Sequence, residues 1–112
     1  MKFYLNNLLE RVKIYSLSLD RLEFLVDIPW VFIDEGNNIQ KYIFKRNGEL
    51  ILSINGIAQV GKWEYIATAK SLLIDRVSDK ILLNHLFFNQ AIMILNYDGS
   101  KDSFNLINQN II

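Results

Sequence analysis

The spacing of apolar residues changes once along the chain. From Leu5 to Val26, the residues Leu5, Leu8, Val12, Tyr15, Leu19, Leu22 and Val26 recur at alternating steps of three and four, which places them on one helical stripe. The pattern predicts an amphipathic helix over about 2 to 15 and a further turn opened by Ser18 or Asp20 as N-cap. Glu23 then completes an Asp-x-x-Glu box. Pro29 ends the helical reading, because the residue before a proline is driven toward extended geometry.

Beyond Trp30 the chain reads as short apolar runs separated by turn signals. Asn47-Gly48, Asn55-Gly56 and Asp98-Gly99 each lie between such runs and supply the positive φ angles of two-residue hairpin turns. Residues 34–38 and 76–79 are longer polar turns. Eight strands follow, over 30–34, 39–46, 49–55, 57–66, 71–76, 80–87, 91–97 and 103–108. Connections this short require an antiparallel meander, since parallel neighbours need crossovers of a dozen residues or more.

Alternation assigns the faces. Leu50, Leu52 and Ile54 oppose Glu49, Ser53 and Asn55, with Ile51 as the exception; Trp63 and Tyr65 oppose Lys62 and Glu64. Elsewhere both faces are apolar: Tyr42 and Phe44 against Ile43, Met93 and Leu95 against Ile92 and Ile94. Part of the outer sheet surface is therefore expected to be covered, by the N-terminal helix or by a second copy of the chain. The helical stripe itself reads either as a plug for its own barrel or as a partner-binding seam.

The order of Pro29-Trp30-Val31-Phe32-Ile33, Tyr42 to Leu50 with its Asn47-Gly48 turn, Gly61-Lys62-Trp63-Glu64-Tyr65 and Ser71-Leu72-Leu73-Ile74 resembles the short bacterial lipocalin-like domains, over about residues 29–97. The resemblance implies a small antiparallel barrel or half-barrel. It also suggests a hydrophobic ligand in an aromatic-lined mouth, with Trp30, Tyr42, Phe44, Trp63 and Tyr65 as the lining. The expected class is α+β in a single domain, with residues 1–28 helical and 29–112 forming the barrel. A barrel of about eight short strands has an interior that side chains nearly fill.

Composition narrows the chemistry. The 112 residues suit one domain with a real core, and a 51% hydrophobic, 21% charged chain with one proline is neither disordered nor fibrous. Twelve basic residues against twelve acidic ones leave no net charge and so little field to steer nucleic acid or an anionic membrane. Zero cysteines remove disulfides and thiolate chemistry, and no cofactor or metal is expected. Polar residues break any apolar leader near the start, and no apolar run approaches the 18 residues of a membrane span. The expected location is the cytoplasm.

No nucleophile elbow, phosphate-cradling loop or metal spacing is present. His85, the single histidine, groups by alternation with Ile81, Leu83 and Phe87 and reads as structural, although a general base or pH switch is the functional alternative. Asp34, Glu35, Asp75, Asp79 and Asp98 sit in turns, where carboxylates cap backbone amides. Lys41, Lys45 and Arg46 beside Tyr42 and Phe44 would suit base stacking, but a solvated edge is the simpler account. These features favour a non-enzymatic module that binds another protein, or itself, through its sheet or helix surface.

Overall fold

The computed structural model describes residues 19–33 and 36–111. Eight strands, β1 (Trp30–Ile33), β2 (Ile39–Phe44), β3 (Glu49–Ile54), β4 (Ile57–Ile66), β5 (Ser71–Asp75), β6 (Lys80–Phe88), β7 (Ile92–Tyr97) and β8 (Ser103–Asn108), pair antiparallel in chain order. The sheet closes on itself: Trp30 pairs with Asn108 and Val31 with Ile107. Closure removes the edges that a half-barrel would leave, so the half-barrel alternative is corrected. Among the described residues the only helix is the single turn α1 (Leu22–Leu25), so they form an all-β barrel rather than an α+β fold. The helix expected over 2–15 lies outside the described residues.

The expected Asp20-x-x-Glu23 box is also corrected. Arg21 is the N-cap of α1 with no side-chain cap, and Glu23 accepts instead from the Arg21 guanidinium at 2.8 Å. One turn is too short to recruit a full cap. It is held by burial instead, because residues 19–26 close one end of the barrel. Leu19 and Leu25 are fully buried, Val26 bridges to Phe44, and Trp30 Nε1 donates to the Leu25 carbonyl at 3.0 Å.

Of the three expected two-residue turns, only Asn55-Gly56 forms one. Both residues have positive φ, 50° and 85°, the pairing that a type I′ turn demands. The other two glycines lie in longer connections, 45–48 and 98–102, because β2 stops at Phe44 and β8 starts at Ser103.

Inward and outward positions alternate as expected in β3 and in the second half of β4. In β6 they do not. The register slips between His85 and Phe87, so Phe88 enters the core opposite Met93, Phe87 lies opposite Ile94, and Leu86 is exposed. A β-bulge adds one residue to one strand and reverses every face beyond it. Grouping Phe87 with His85 and Leu83 is thereby overturned.

Candidate functional site

The five aromatic residues expected to line a ligand mouth fall into two groups. Trp30, Tyr42 and Phe44 have no solvent exposure, while Trp63 and Tyr65 are partly buried and pack against the same core. Trp63 lies edge-on to Phe44, centroids 5.4 Å apart, and its Nε1 donates to the Lys45 carbonyl at 2.7 Å. Their alternation brings all five to the inner face, as the sequence indicates; there Trp30, Tyr42 and Phe44 fill the core, and Trp63 also lines a cleft. Since Tyr42 and Phe44 are buried, Lys41, Lys45 and Arg46 flank no stacking platform. Lys45 pairs with Asp27 at 2.9 Å.

The barrel end opposite residues 19–26 is occupied by aromatic rings and one arginine. Phe32 stacks on Phe104 at 4.6 Å, and Tyr42 and Tyr97 meet Phe104 edge-on at 5.6 and 5.7 Å. Stacked and edge-on geometries of this kind satisfy the ring quadrupoles while packing the volume densely. Arg76 reaches over this layer. Its Nη1 donates to the Tyr42 hydroxyl at 3.3 Å, its Nε to Asp79 at 2.8 Å and its Nη2 to the other Asp79 oxygen. Tyr42 in turn donates to Gln40 Oε1 at 2.7 Å. The Arg76 hydrogen bonds hold the Asp79 carboxyl below its usual range, whereas burial pushes the Tyr42 and Tyr97 hydroxyls up. A bidentate pair over a buried hydroxyl fixes the arginine, so it serves as the lid of the core.

The turn carboxylates act on their own surroundings. Asp75 Oδ1 accepts from the Val77 amide at 3.0 Å, Asp98 Oδ1 from Asn84 Nδ2 at 3.1 Å, and Asp79 holds Arg76. Asp34 and Glu35 lie outside the described residues. Ser71 Oγ is committed to the Ala69 carbonyl and to Asn84 Oδ1, at 2.9 and 2.7 Å. Among the described residues no three His, Cys, Asp or Glu side chains converge as metal ligands would, and no helix is long and apolar enough to cross a membrane.

His85 is half-buried beside the bulge, and its amide donates to the Lys70 carbonyl at 3.0 Å. Burial first, and the Lys70 ammonium second, push the imidazole below its ordinary value. The folded state therefore binds the proton less readily than the unfolded chain. Stability is expected to fall as pH drops below about 6.5 and to level out once the folded-state value is passed. Comparing urea midpoints at pH 7.5 and 5.5 should show this fall in the parent and not in His85→Gln. Parallel behaviour of the two proteins would place its source elsewhere.

A cleft of about 570 Å³ lies on the outside of the barrel, between the Asn47-Gly48 turn and Lys80. Its wall carries Glu49, Lys62, Glu64, Asp75 and Lys80, with Leu73 and the partly buried Trp63 among them. Sequence reading assigned Lys62, Glu64 and Glu49 to outward faces, and so they are. It could not show that four strands bring them together. Above the cleft, β4 from Ile57 to Val60 is exposed throughout and pairs only with β3, because its pairing to β5 starts at Lys62. Comparison with models of known protein families, with curated proteins and with solved structures finds no match.

Proposed function

We propose that this domain is a non-enzymatic interaction module whose outer wall, around β3 and β4, binds another protein. The observation that carries the reading is a row of outward apolar side chains across β2, β3 and β4. Val60 of β4 is 63% exposed and stands in register beside Ile51 of β3 and, through it, Ile43 of β2 on the outer face, while Ile39, farther along β2 on the same face, is 53% exposed. Clustered apolar exposure of this kind marks contact surfaces, and the unpaired side of β4 offers backbone donors and acceptors next to it. The core beneath is filled by aromatic rings, which favours the outside over a ligand in the interior. The lipocalin-like resemblance is read here as barrel architecture without lipid binding. The cytoplasmic address expected from the sequence belongs to the same proposal.

A photo-crosslinking amino acid in place of Val60, introduced in cells, tests this. A defined protein adduct is expected from position 60, and none from Asn105, an exposed outward position on β8. No adduct from position 60, together with saturable quenching of tryptophan fluorescence by a fatty acid, would overturn the reading in favour of a hydrophobic ligand.

A further inference from the structure

Four charged side chains stand directly opposite one another across four strands. Glu49 of β3 pairs in register with Lys62 of β4, Lys62 with Asp75 of β5, and Asp75 with Lys80 of β6. All four alternate with inward neighbours, Leu50, Trp63 and Gly61, Ile74 and Ile81, and so share the outer face. With strands spaced ~4.8 Å apart the row is about 14 Å long, and its signs run minus, plus, minus, plus. The ion pairs of the described residues are Arg21 with Glu23, Lys45 with Asp27 and Arg76 with Asp79. None of them involves this row.

The order of signs selects the partner. A uniformly acidic or basic surface would meet half of the row with like charge, which excludes nucleic acid and anionic lipid. Read backwards, however, the row is plus, minus, plus, minus, the complement of itself. A two-fold axis lying in the contact plane and running along the strands reverses the row of one copy over the other. Because the row follows the curve of the closed barrel, Lys62 faces the partner's Asp75 at the centre of the contact and the long Lys80 side chain reaches the partner's Glu49 at its rim; symmetry repeats both contacts, so all four pairs are of opposite sign. This is the self-complementarity that an isologous interface requires. Val60 and Leu73, next to the row on the same face, add apolar area. The cleft that the row itself lines leaves room for the facing copy's long lysine side chains.

The geometry points to a second copy of this chain as the occupant of the outer wall, in a two-fold dimer registered by the row Glu49, Lys62, Asp75 and Lys80. The inference rests on the reading of that wall as a protein-binding surface and names its partner. Because Glu49, Lys62 and Lys80 are exposed and Asp75 is only half-buried, the dimer is salt-sensitive. Screening shortens from about 10 Å at 0.1 M salt to about 3 Å at 1 M.

Sedimentation equilibrium at low salt tests it on four samples: the parent, Lys62→Glu, Asp75→Lys, and an equimolar mixture of the two variants, with circular dichroism confirming the fold of each. The parent should show twice its 13.1 kDa mass and dissociate at 1 M salt. Each variant alone sets like charges against each other twice and should weaken association at least about tenfold. In the mixture the new acid of one variant faces the new base of the other, and the dimer should return. If either variant fails to fold, Glu49→Lys and Lys80→Glu form the second complementary pair and are read in the same way. A monomeric parent, variants that still dimerise, or a mixture that stays monomeric would overturn the inference. A monomeric parent whose position-60 crosslink carries a different protein removes the second copy while leaving the interaction reading in place. A monomeric parent with no crosslink removes both.

Discussion

Replacing Trp30 with alanine is expected to cost about 4 kcal/mol of folding stability, the middle of the range for truncating a buried aromatic residue. Trp30 has no solvent exposure and belongs to three parts of the fold at once. It pairs with Tyr42 on one side and with Asn108 on the other, so it stands at the seam where the barrel closes. Its ring lies 5.9 Å from that of Phe88, and its Nε1 donates to the Leu25 carbonyl in the segment that covers this end. Alanine leaves a cavity and an unsatisfied carbonyl together. Small domains have roughly 5 to 15 kcal/mol in total, so the variant should be close to unfolding at 37 °C. Urea denaturation followed by circular dichroism measures the loss. Trp30→Phe should recover most of it, leaving about 1 kcal/mol for the missing hydrogen bond. A loss below about 1 kcal/mol for alanine would show that neither seam nor floor depends on this side chain.

The second large effect is expected at Gly61, where alanine should cost about 3 kcal/mol. A Cβ placed on Gly61 would lie 2.1 Å from the Asp75 carbonyl oxygen and 3.3 Å from its carbon. Both are backbone atoms of a paired strand, so relief requires moving β5. The position explains the close approach. Residues up to Lys62 in β4 pair with β3, and from Lys62 onward β4 pairs with β5, so the strand changes partner at this point. Glycine inside a strand marks such a crossing, because only a residue without Cβ lets two backbones come this near. Gly56→Ala is the useful comparison. Nothing lies within 4 Å of a Cβ there, and only the φ of 85° opposes it, which should cost about 1 kcal/mol. Urea midpoints for both variants give the order. Equal losses would mean that the Gly61 contact relaxes without resistance.

The strands were legible because their signals are local. Apolar alternation repeats every two residues, and a turn is specified within four, so the eight runs from Trp30 to Asn108 and the Asn55-Gly56 hairpin could be read without knowing what packs on them. The fate of Phe87 and Phe88 was not legible. A bulge depends on whether the core beside Met93 has room for a ring at one residue or the next, and nothing within β6 carries that information. The capping box at Asp20 failed for a related reason. Its sequence fits a helix long enough to need a cap, whereas α1 is one turn held by the burial of Leu19 and Leu25. Trp63 and Tyr65 were placed on the right face. Whether that face holds a ligand or a core depends on how closely the rings opposite approach.

The sequence by itself determined an antiparallel meander, the inward set of residues in most strands, and the neutrality that argues against a purely electrostatic partner. These follow from periodicity and composition, which act at short range or on the whole chain. Only the tertiary structure decided that β8 returns to β1, that residues 19–26 cover one end and Arg76 the other, and that Glu49, Lys62, Asp75 and Lys80 fall in one row. Those outcomes depend on strand register, which a slip of one residue would invert. Register is fixed by the volumes that Trp30 and Phe88 fill together at one end and Phe32, Tyr42, Tyr97 and Phe104 at the other, from positions far apart in the chain.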